Sequence, residues 1–276
     1  MHLTPLRMLA LAALMSGIGP VLVRESPVGP AATAFWRMAI ALPFAISTGR
    51  FAFSMAGRDI ALALISGVLL AADLVFWNNA ILRTSVMEAT VLVMMFPLIV
   101  AVVEIFFLGR RLSTNLIIGG LIALTGTVVI TAGKAPGQHD LLGDMMALAA
   151  AFFYAASLLI SAQLCRRNEA SGVTLWVIFG AAAGTLPFAS SESVLLPTSA
   201  GALAYLSAYG LLTYGSYALY NSTLSKLPTT MVAISGYGQP IIASSLAAIF
   251  LNEIPSWTSF LGALIIVSGL VLATKA

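Results

Sequence analysis

The sequence contains very little charge. Only 8% of its 276 residues are Asp, Glu, Lys or Arg, against about 25% in an ordinary soluble domain. Hydrophobic residues make up 60% of the chain, and the mean hydropathy is +1.01. No soluble chain of this length can bury so much apolar surface, which excludes a soluble enzyme and a disordered protein. The chain therefore belongs in a lipid bilayer.

Cysteine and histidine are nearly absent. The single cysteine, Cys165, excludes an intramolecular disulfide and a cysteine-ligated metal. The two histidines, His2 and His139, lie outside the apolar stretches, so no histidine can activate a buried serine. We therefore predict that the protein is not an enzyme and that it holds no metal and no cofactor. The net charge of +3 is too small and too scattered to indicate nucleic-acid binding.

Long apolar stretches fill most of the chain. A helix needs about 20 apolar residues to cross the hydrocarbon core. Polar interruptions divide the sequence into ten such stretches, near 6–23, 30–48, 60–82, 85–108, 114–132, 141–163, 172–189, 199–220, 228–251 and 257–274. We predict an all-α membrane protein with ten transmembrane helices. The first stretch also looks like a secretory signal peptide, but the repeat described next gives it a counterpart in the sixth, so we expect it to be retained.

The second half of the chain repeats the first. A shift of 143 residues aligns Asn78 with Asn221, Pro97 with Pro240, Gly119 with Gly262 and Gly126 with Gly269, and a slightly different shift aligns Trp36 with Trp176. We predict two five-helix repeats, residues 1–138 and 139–276. Because five is odd, the second repeat must enter the membrane upside down, as in transporters that alternate access to a central cavity. The paired glycines, seven residues apart, predict close helix packing within the chain.

The positive charges predict the orientation. With a cytoplasmic N-terminus, nine of the Lys and Arg residues fall on the cytoplasmic side and three on the outer side. The positive-inside rule therefore places both termini in the cytoplasm, in a bacterial inner membrane. Arg110 in a cytoplasmic loop aligns with Glu253 in an outer loop, so the basic residue is lost where the topology inverts.

One motif occurs in both halves. The first copy reads Asn79-Ala80-Ile81-Leu82, Phe96-Pro97, Leu108-Gly109-Arg110-Arg111-Leu112-Ser113, Gly119 and Gly126, and the second keeps Gln239-Pro240, Leu251-Asn252-Glu253, Ser256, Gly262 and Gly269. This doubled pattern resembles the EamA-type drug/metabolite transporters over the whole chain, and the YddG-type aromatic amino-acid exporters in particular. Arg37 matches the family's arginine in the second helix. Arg110 replaces the family's usual Glu, which puts a salt bridge in that loop in doubt.

The resemblance implies a secondary transporter that exports small neutral or zwitterionic metabolites, such as aromatic or other amino acids and amphipathic compounds, by alternating access. A nucleotide-sugar or phosphate-ester antiporter of the same superfamily stays open, although Arg37 is the one membrane-embedded cation available for phosphate. An ion channel is a less favoured alternative: Gly236-Tyr237-Gly238 resembles a potassium filter, but a filter needs a re-entrant loop in four copies, and this segment aligns with ordinary sequence of the fourth helix. The expected partners are a small-molecule substrate and the lipid bilayer, and the chain is expected to be a monomer or a weak homodimer.

Aromatic and amide side chains are the candidate substrate-binding residues. Tyr214, Tyr217 and Asn221 recur at helical spacing in the eighth stretch. The full predicted set is Trp77, Asn78, Tyr154, Tyr214, Tyr217, Asn221, Tyr237 and Gln239. Rings with a few hydrogen-bonding groups suit a flat amphipathic substrate. An interfacial aromatic belt and interhelical hydrogen bonds are the alternative explanation for the same residues.

Two prolines and two charges complete the predicted site. Pro97 and Pro240 fall mid-span and predict kinks that serve as gates or shape packing. Arg37 and Asp73 lie about 10 and about 12 Å deep, at 1.5 Å per residue. An unpaired charge at such depth costs about 2.5–3.5 kcal/mol, so we predict an Arg37–Asp73 ion pair. Glu104, near a helix end, is expected to reach the interface.

Overall fold

The computed structural model describes residues 4–49, 52–83, 89, 92–132, 140–239, 241–242, 245–246 and 257–275. Regular structure in these ranges is helical throughout. The helices are α1 (Pro5–Gly17), α2 (Gly19–Arg24), α3 (Pro30–Thr48), α4 (Gly57–Arg83), α5 (Phe96–Val102), α6 (Thr114–Ala132), α7 (Leu141–Cys165), α8 (Ala170–Ser190), α9 (Ala200–Leu224), α10 (Thr229–Ile234) and α11 (Trp257–Ala273). A π-helix spans Val103–Phe107, and 3-10 helices span Ala52–Ser54 and Ser235–Gly238.

Several helices are built to cross a membrane. Within the described ranges, five are long and apolar enough: Pro5–Arg24 (α1 with α2), Pro30–Thr48, Gly57–Arg83, Leu141–Cys165 and Ala170–Ser190. Helix α9 is also 25 residues long, but five tyrosines and several hydroxyl residues make it less apolar. Large hydrophobic side chains such as Phe106, Phe107 and Trp257 are exposed on the outside, where lipid would cover them. The predicted all-α membrane architecture is confirmed at this level.

Polar side chains fix where helices begin. Asp140 caps α7 by accepting a hydrogen bond from the Leu142 N–H at 2.9 Å, and Ser199 caps α9 by accepting from the Ala202 N–H at 3.1 Å. Glu192, which follows α8, caps α3 from a distance in sequence, since its two carboxylate oxygens accept from the N–H groups of Ala31 and Ala32 at 2.8 Å each. These acceptors satisfy backbone donors that helix geometry leaves free.

Glycines let the helices approach closely. A Cβ on Gly67 of α4 would lie 2.3 Å from the Val177 carbonyl oxygen of α8. Helices α6 and α11 pack along each other, and a Cβ on Gly119 would lie 2.5 Å from the Gly269 carbonyl oxygen. The predicted close packing at the paired glycines is therefore present within the chain.

The region of Pro97 is broken where a kink was predicted. Turn residues Met94 and Met95 precede α5, and Pro97 lies in the first turn of that helix. Leu92 and Val93, before the turn, are helical too, so the helix is interrupted just ahead of Pro97. A proline has no N–H to donate to the carbonyl four residues earlier, which is consistent with an interruption at this place. The role of Pro97 as a gate stays a prediction. Pro240 lies outside the described residues.

The structure corrects the expectation for Glu104. Its side chain does not reach the interface but is fully buried. One carboxylate oxygen accepts from the Thr230 N–H at 3.1 Å and from the Thr230 hydroxyl at 2.6 Å, and the other forms an ion pair with Arg110. Arg110, whose departure from the family pattern put a loop salt bridge in doubt, thus makes one. These contacts tie the π-helix to α10.

Candidate functional site

A cavity of about 100 Å³ lies inside the bundle. Helices α1, α3, α4, α7 and α9 contribute to its wall, together with the residues just before α5. Its lining residues are Met15, Ser16, Gly19, Arg37, Asp73, Leu74, Trp77, Val93, Met94, Phe96, Tyr154, Tyr209, Leu212, Thr213, Ser216, Tyr217, Tyr220 and Gln239. Because Tyr154 occupies the middle of the 25-residue α7, the cavity lies at mid-membrane depth.

Arg37 is the cationic group of this cavity. Its side chain is buried, and its Nη1 donates a hydrogen bond to the Tyr209 hydroxyl at 2.6 Å. The guanidinium carbon lies 4.7 Å from the centre of the Tyr209 ring, within the range of a cation–π contact. Tyr209 therefore positions the guanidinium without neutralising its charge.

Asp73 is the acidic group of the cavity. No ion pair within 4.0 Å joins it to Arg37, although both residues line the same space. The predicted direct pair is replaced by the Arg37–Tyr209 hydrogen bond. Within the described ranges no group donates a hydrogen bond to the Asp73 carboxylate. The cavity thus holds one basic and one acidic side chain that form no ion pair with each other.

Three buried polar atoms on the cavity wall have no hydrogen-bond partner in the described part of the chain. They are Nε of Arg37, Nε1 of Trp77 and the hydroxyl of Thr213. Folded proteins rarely leave such atoms unpaired, since each costs about 1–3 kcal/mol. All three are hydrogen-bond donors on residues that line the cavity. Such a lining suits a ligand that carries oxygen acceptors.

Aromatic rings form the rest of the wall. Tyr154 packs edge-to-face on Phe96, with ring centres 4.6 Å apart and planes at 82°. Tyr217 and Tyr220 extend this surface from α9, and the Tyr220 hydroxyl lies 3.2 Å from the Ser16 hydroxyl of α1. Such a wall can stack on an apolar or aromatic group while its hydroxyls bind polar atoms.

Half of the predicted binding residues line the cavity: Trp77, Tyr154, Tyr217 and Gln239. The two asparagines do not line it. The Asn78 amide donates to the Pro30 carbonyl at 2.8 Å, and the Asn221 amide donates to the Thr174 hydroxyl at 2.9 Å. Both asparagines thus tie neighbouring helices together, which was the alternative interpretation of these residues.

Two of the predicted tyrosines also lie elsewhere. The Tyr214 hydroxyl is 2.7 Å from the Thr48 hydroxyl, and its ring stacks on Phe44 of α3. Tyr237 is fully buried in the apolar core, within the 3-10 helix after α10. Neither of these residues lines the cavity.

The sequence reasoning missed the face of α9 that lines the cavity. That face carries Tyr209, Thr213, Ser216 and Tyr220, at spacings of four, three and four residues. This spacing is the signal of a single helix face, whereas Tyr214 and Asn221 lie more than 100° around the helix from Tyr209 at about 100° per residue. This distinction is obscured in the sequence because α9 carries polar side chains on more than one side.

A bundle of apolar helices around a cavity with polar and aromatic side chains is the arrangement expected of a multi-pass membrane transporter for a small molecule. Residues 4–132 and 141–275 each match the model of the EamA-like transporter family. The chain therefore belongs to the EamA-like transporter family, as its doubled motif predicted.

Similar proteins carry the names of exporters. The chain is 28% identical over 180 residues to the "Probable amino-acid metabolite efflux pump" of Escherichia coli, covering 60% of each chain. It is 25% identical over 203 residues to the "Aromatic amino acid exporter YddG" of Salmonella typhimurium, covering 70% of this chain and 69% of that protein. It is 23% identical to the "Pseudopaline exporter CntI" of Pseudomonas aeruginosa, covering 80% and 78%. The chain thus spans 60% of the first relative's length.

A solved crystal structure shares the fold. It superposes with a TM-score of 0.82 and covers 98% of this chain and 97% of its own, at 18% sequence identity. At that identity the likeness concerns the architecture alone.

Proposed function

We propose that this chain exports small zwitterionic or neutral metabolites, namely aromatic or other amino acids and amphipathic compounds, by alternating access. The observation that carries the proposal is the presence of Arg37 and Asp73 in one aromatic cavity without a mutual ion pair. A zwitterion supplies the missing partner to each. The exporters named among the relatives are consistent with such a substrate.

Each end of the substrate has a complementary group. The substrate carboxylate accepts from Arg37 and from the unpaired donors of Trp77 and Thr213, and the ammonium group binds the Asp73 carboxylate. The side chain of the substrate packs on Tyr154, Tyr217 and the other rings. With one cation balanced by one anion, the cavity lacks the surplus positive charge that a phosphate ester requires. A phosphate-ester antiporter is accordingly disfavoured.

The proposed architecture is ten helices in two inverted five-helix repeats, residues 1–138 and 139–276. Reciprocal contacts between repeat mates support it. The Trp36 indole donates to the Leu195 carbonyl at 2.8 Å, and its mate Trp176 donates to the Ala52 carbonyl at 3.0 Å. Leu195 and Ala52 are themselves 143 positions apart. The two bonds lie at opposite ends of the antiparallel α3–α8 pair, as a two-fold axis in the membrane plane requires.

Two further sets of contacts follow the same symmetry. Asn78 of α4 donates a hydrogen bond to Pro30 at the start of α3. Its repeat mate, Asn221 of α9, donates a hydrogen bond to Thr174 near the start of α8. Gly119 contacts Gly269, and Gly126 contacts Gly262. The repeat mate of Gly119 is Gly262 and that of Gly126 is Gly269, so each of the two α6 glycines contacts the mate of the other one. An exchange of this kind is the signature of a two-fold contact. Two halves related in this way can exchange conformations and open the cavity to either side.

The membrane placement completes the proposal. The distribution of basic residues supports a bacterial inner membrane location with both termini in the cytoplasm. The glycines of α6 and α11 are used within the chain, which favours a monomer or a weak homodimer. Pro97 marks the break before α5 beside the cavity, and we assign that break, with the equivalent region of Pro240, to gating.

Counterflow in proteoliposomes tests the proposed function. Vesicles preloaded with unlabelled Phe, Tyr, Trp, Thr or Ala are expected to accumulate the labelled form of at least one of the aromatic amino acids, above the level of protein-free vesicles. The aromatic lining predicts more accumulation of Phe, Tyr and Trp than of Thr and Ala. If no amino acid accumulates, with or without a pH gradient, the amino-acid assignment fails.

A further inference from the structure

A second cavity, which we call the basic recess, lies at the helix ends. It has a volume of about 730 Å³ and opens where α1 begins and where α7, α9 and α11 end. Its polar lining includes Arg110, Arg111, Arg166 and Lys226, against the single acidic residue Glu104. It lies apart from the central cavity and shares no lining residue with it.

Most of the positive charge in the basic recess is uncompensated. Glu104 is already occupied by Arg110 and Thr230. In the part of the chain that the structure describes, Arg111, Arg166 and Lys226 form no ion pair. Three exposed cations therefore share one concave surface without a counter-charge from the protein, which creates a positive potential that attracts anions.

Two guanidinium groups converge inside the basic recess. Nη1 of Arg110 and Nη2 of Arg166 both donate to the Thr229 hydroxyl oxygen, each at 3.4 Å. These hydrogen bonds are long, and a neutral oxygen cannot cancel two charges. Burial and the nearby charge of Arg110 lower the pKa of Arg166, while Glu104 partly opposes this. Because both guanidinium groups reach the same oxygen atom, a single anion at this place can accept hydrogen bonds from both.

The walls of the basic recess are apolar. Leu6, Leu112, Leu116 and Met231 lie beside the basic groups. Inorganic phosphate makes no favourable contact with an apolar surface. A lipid matches both parts of the recess, since its charged headgroup suits the basic residues and its acyl chains suit the apolar wall. The location at the helix ends is also the depth of phospholipid headgroups.

We propose that the basic recess binds the phosphodiester headgroup of an anionic phospholipid, with its acyl chains along the apolar wall. The single negative charge of the headgroup would offset part of the positive charge and link α5, α7 and α9 at this end of the bundle. This inference does not depend on the substrate of the central cavity.

Lipid titration of the full-length protein in neutral detergent tests the proposal. The probes are dioctanoyl phosphatidylglycerol, dioctanoyl phosphatidylcholine and inorganic phosphate, with bound ligand counted by native mass spectrometry. Phosphatidylglycerol is expected to bind at least about tenfold more tightly than phosphatidylcholine, because only the former carries net negative charge. The double variant Arg166→Gln/Lys226→Gln is expected to weaken this binding about 25-fold, at about fivefold for each cation removed.

Matched variants separate the site from general surface charge. Arg7→Gln/Lys275→Gln removes two cations at the same end of the bundle but outside the basic recess, and should leave binding unchanged. Arg166→Lys/Lys226→Arg keeps both charges and should retain binding, which guards against misfolding as the cause of a loss. Equal binding of the two lipids, equal loss in both Gln double variants, or equally tight binding of inorganic phosphate would overturn the proposal.

Discussion

Replacing Arg37 with methionine is expected to reduce amino-acid counterflow about 100-fold. The substrate carboxylate would lose a charge-assisted hydrogen bond, which contributes about 1.5–3 kcal/mol, and 1.4 kcal/mol corresponds to a factor of ten. The Arg37→Lys variant keeps the charge but loses the planar fork and the bond to Tyr209, so we expect an intermediate rate. The measurement is the initial rate of labelled phenylalanine counterflow at equal reconstituted protein.

Arg83→Met is the matched control for this substitution. Arg83 is exposed, lies at the end of α4 and forms an ion pair with Asp140 at 3.6 Å outside the cavity. Its loss should leave counterflow within about twofold of the wild type, since exposed pairs contribute about 0–1 kcal/mol. The charge-balanced double variant Arg37→Met/Asp73→Leu should fold well and still not transport. An Arg37→Met protein that transports at the wild-type rate would refute the assignment of Arg37.

Replacing Gly119 with alanine is expected to destabilise the protein by about 1–3 kcal/mol, the typical cost of forcing extra atoms into a packed interface. The new Cβ would lie 2.5 Å from the Gly269 carbonyl oxygen and 2.7 Å from the Ala273 nitrogen. These neighbours are backbone atoms, so the two helices would have to separate. The reduction should be visible as a lower Tm and a lower yield of monodisperse protein in detergent.

Gly201→Ala provides the control for helix glycines. The nearest atom to a Cβ at Gly201 is the Ser199 hydroxyl oxygen, 3.8 Å away, so alanine fits without displacement. Gly126→Ala should resemble Gly119→Ala, since a Cβ there would lie 2.7 Å from the Gly262 carbonyl oxygen in the symmetric contact. An unchanged Tm in both interface variants would contradict the close α6–α11 packing, and a large effect in only one would weigh against the two-fold relation.

The membrane architecture follows from the sequence because it depends on local quantities. Apolar stretches of spanning length and polar interruptions between them already predict helices such as α4 and α7. The prediction of a repeat required only aligned residues such as Trp36 and Trp176. Backbone hydrogen bonds must be satisfied within each span in lipid, so a sufficiently long apolar stretch has few alternatives to a helix.

The cavity wall could be predicted only in part, because it depends on how each helix is rotated. Helix α9 has polar residues on two sides, and one side turns to the cavity while Tyr214 turns to α3 and Asn221 to α8. Spacing along one helix cannot distinguish a side chain that binds a neighbouring helix from one that binds substrate. Glu104 illustrates the same limit, since its partner Thr230 is 126 positions away in sequence.

The pairing of Arg37 and Asp73 shows what depth alone leaves open. Their matched depths correctly brought both residues to one region of the bundle. A comparison of depths cannot identify Tyr209 as a competing partner, and its hydroxyl accepts a 2.6 Å hydrogen bond from the Arg37 guanidinium. Arg37 and Asp73 are therefore both free to bind a substrate, and this is the basis of the proposed zwitterion site.

Competition against labelled phenylalanine counterflow tests this central claim most directly. The competitors are unlabelled phenylalanine, phenethylamine, which lacks the carboxylate, and 3-phenylpropanoate, which lacks the ammonium group. Wild-type protein is predicted to be inhibited by phenylalanine at least about tenfold more strongly than by either analogue, because each analogue leaves one buried charge without a partner. In Asp73→Asn the advantage of phenylalanine over 3-phenylpropanoate should disappear. Equal inhibition by all three compounds in the wild type would contradict the account.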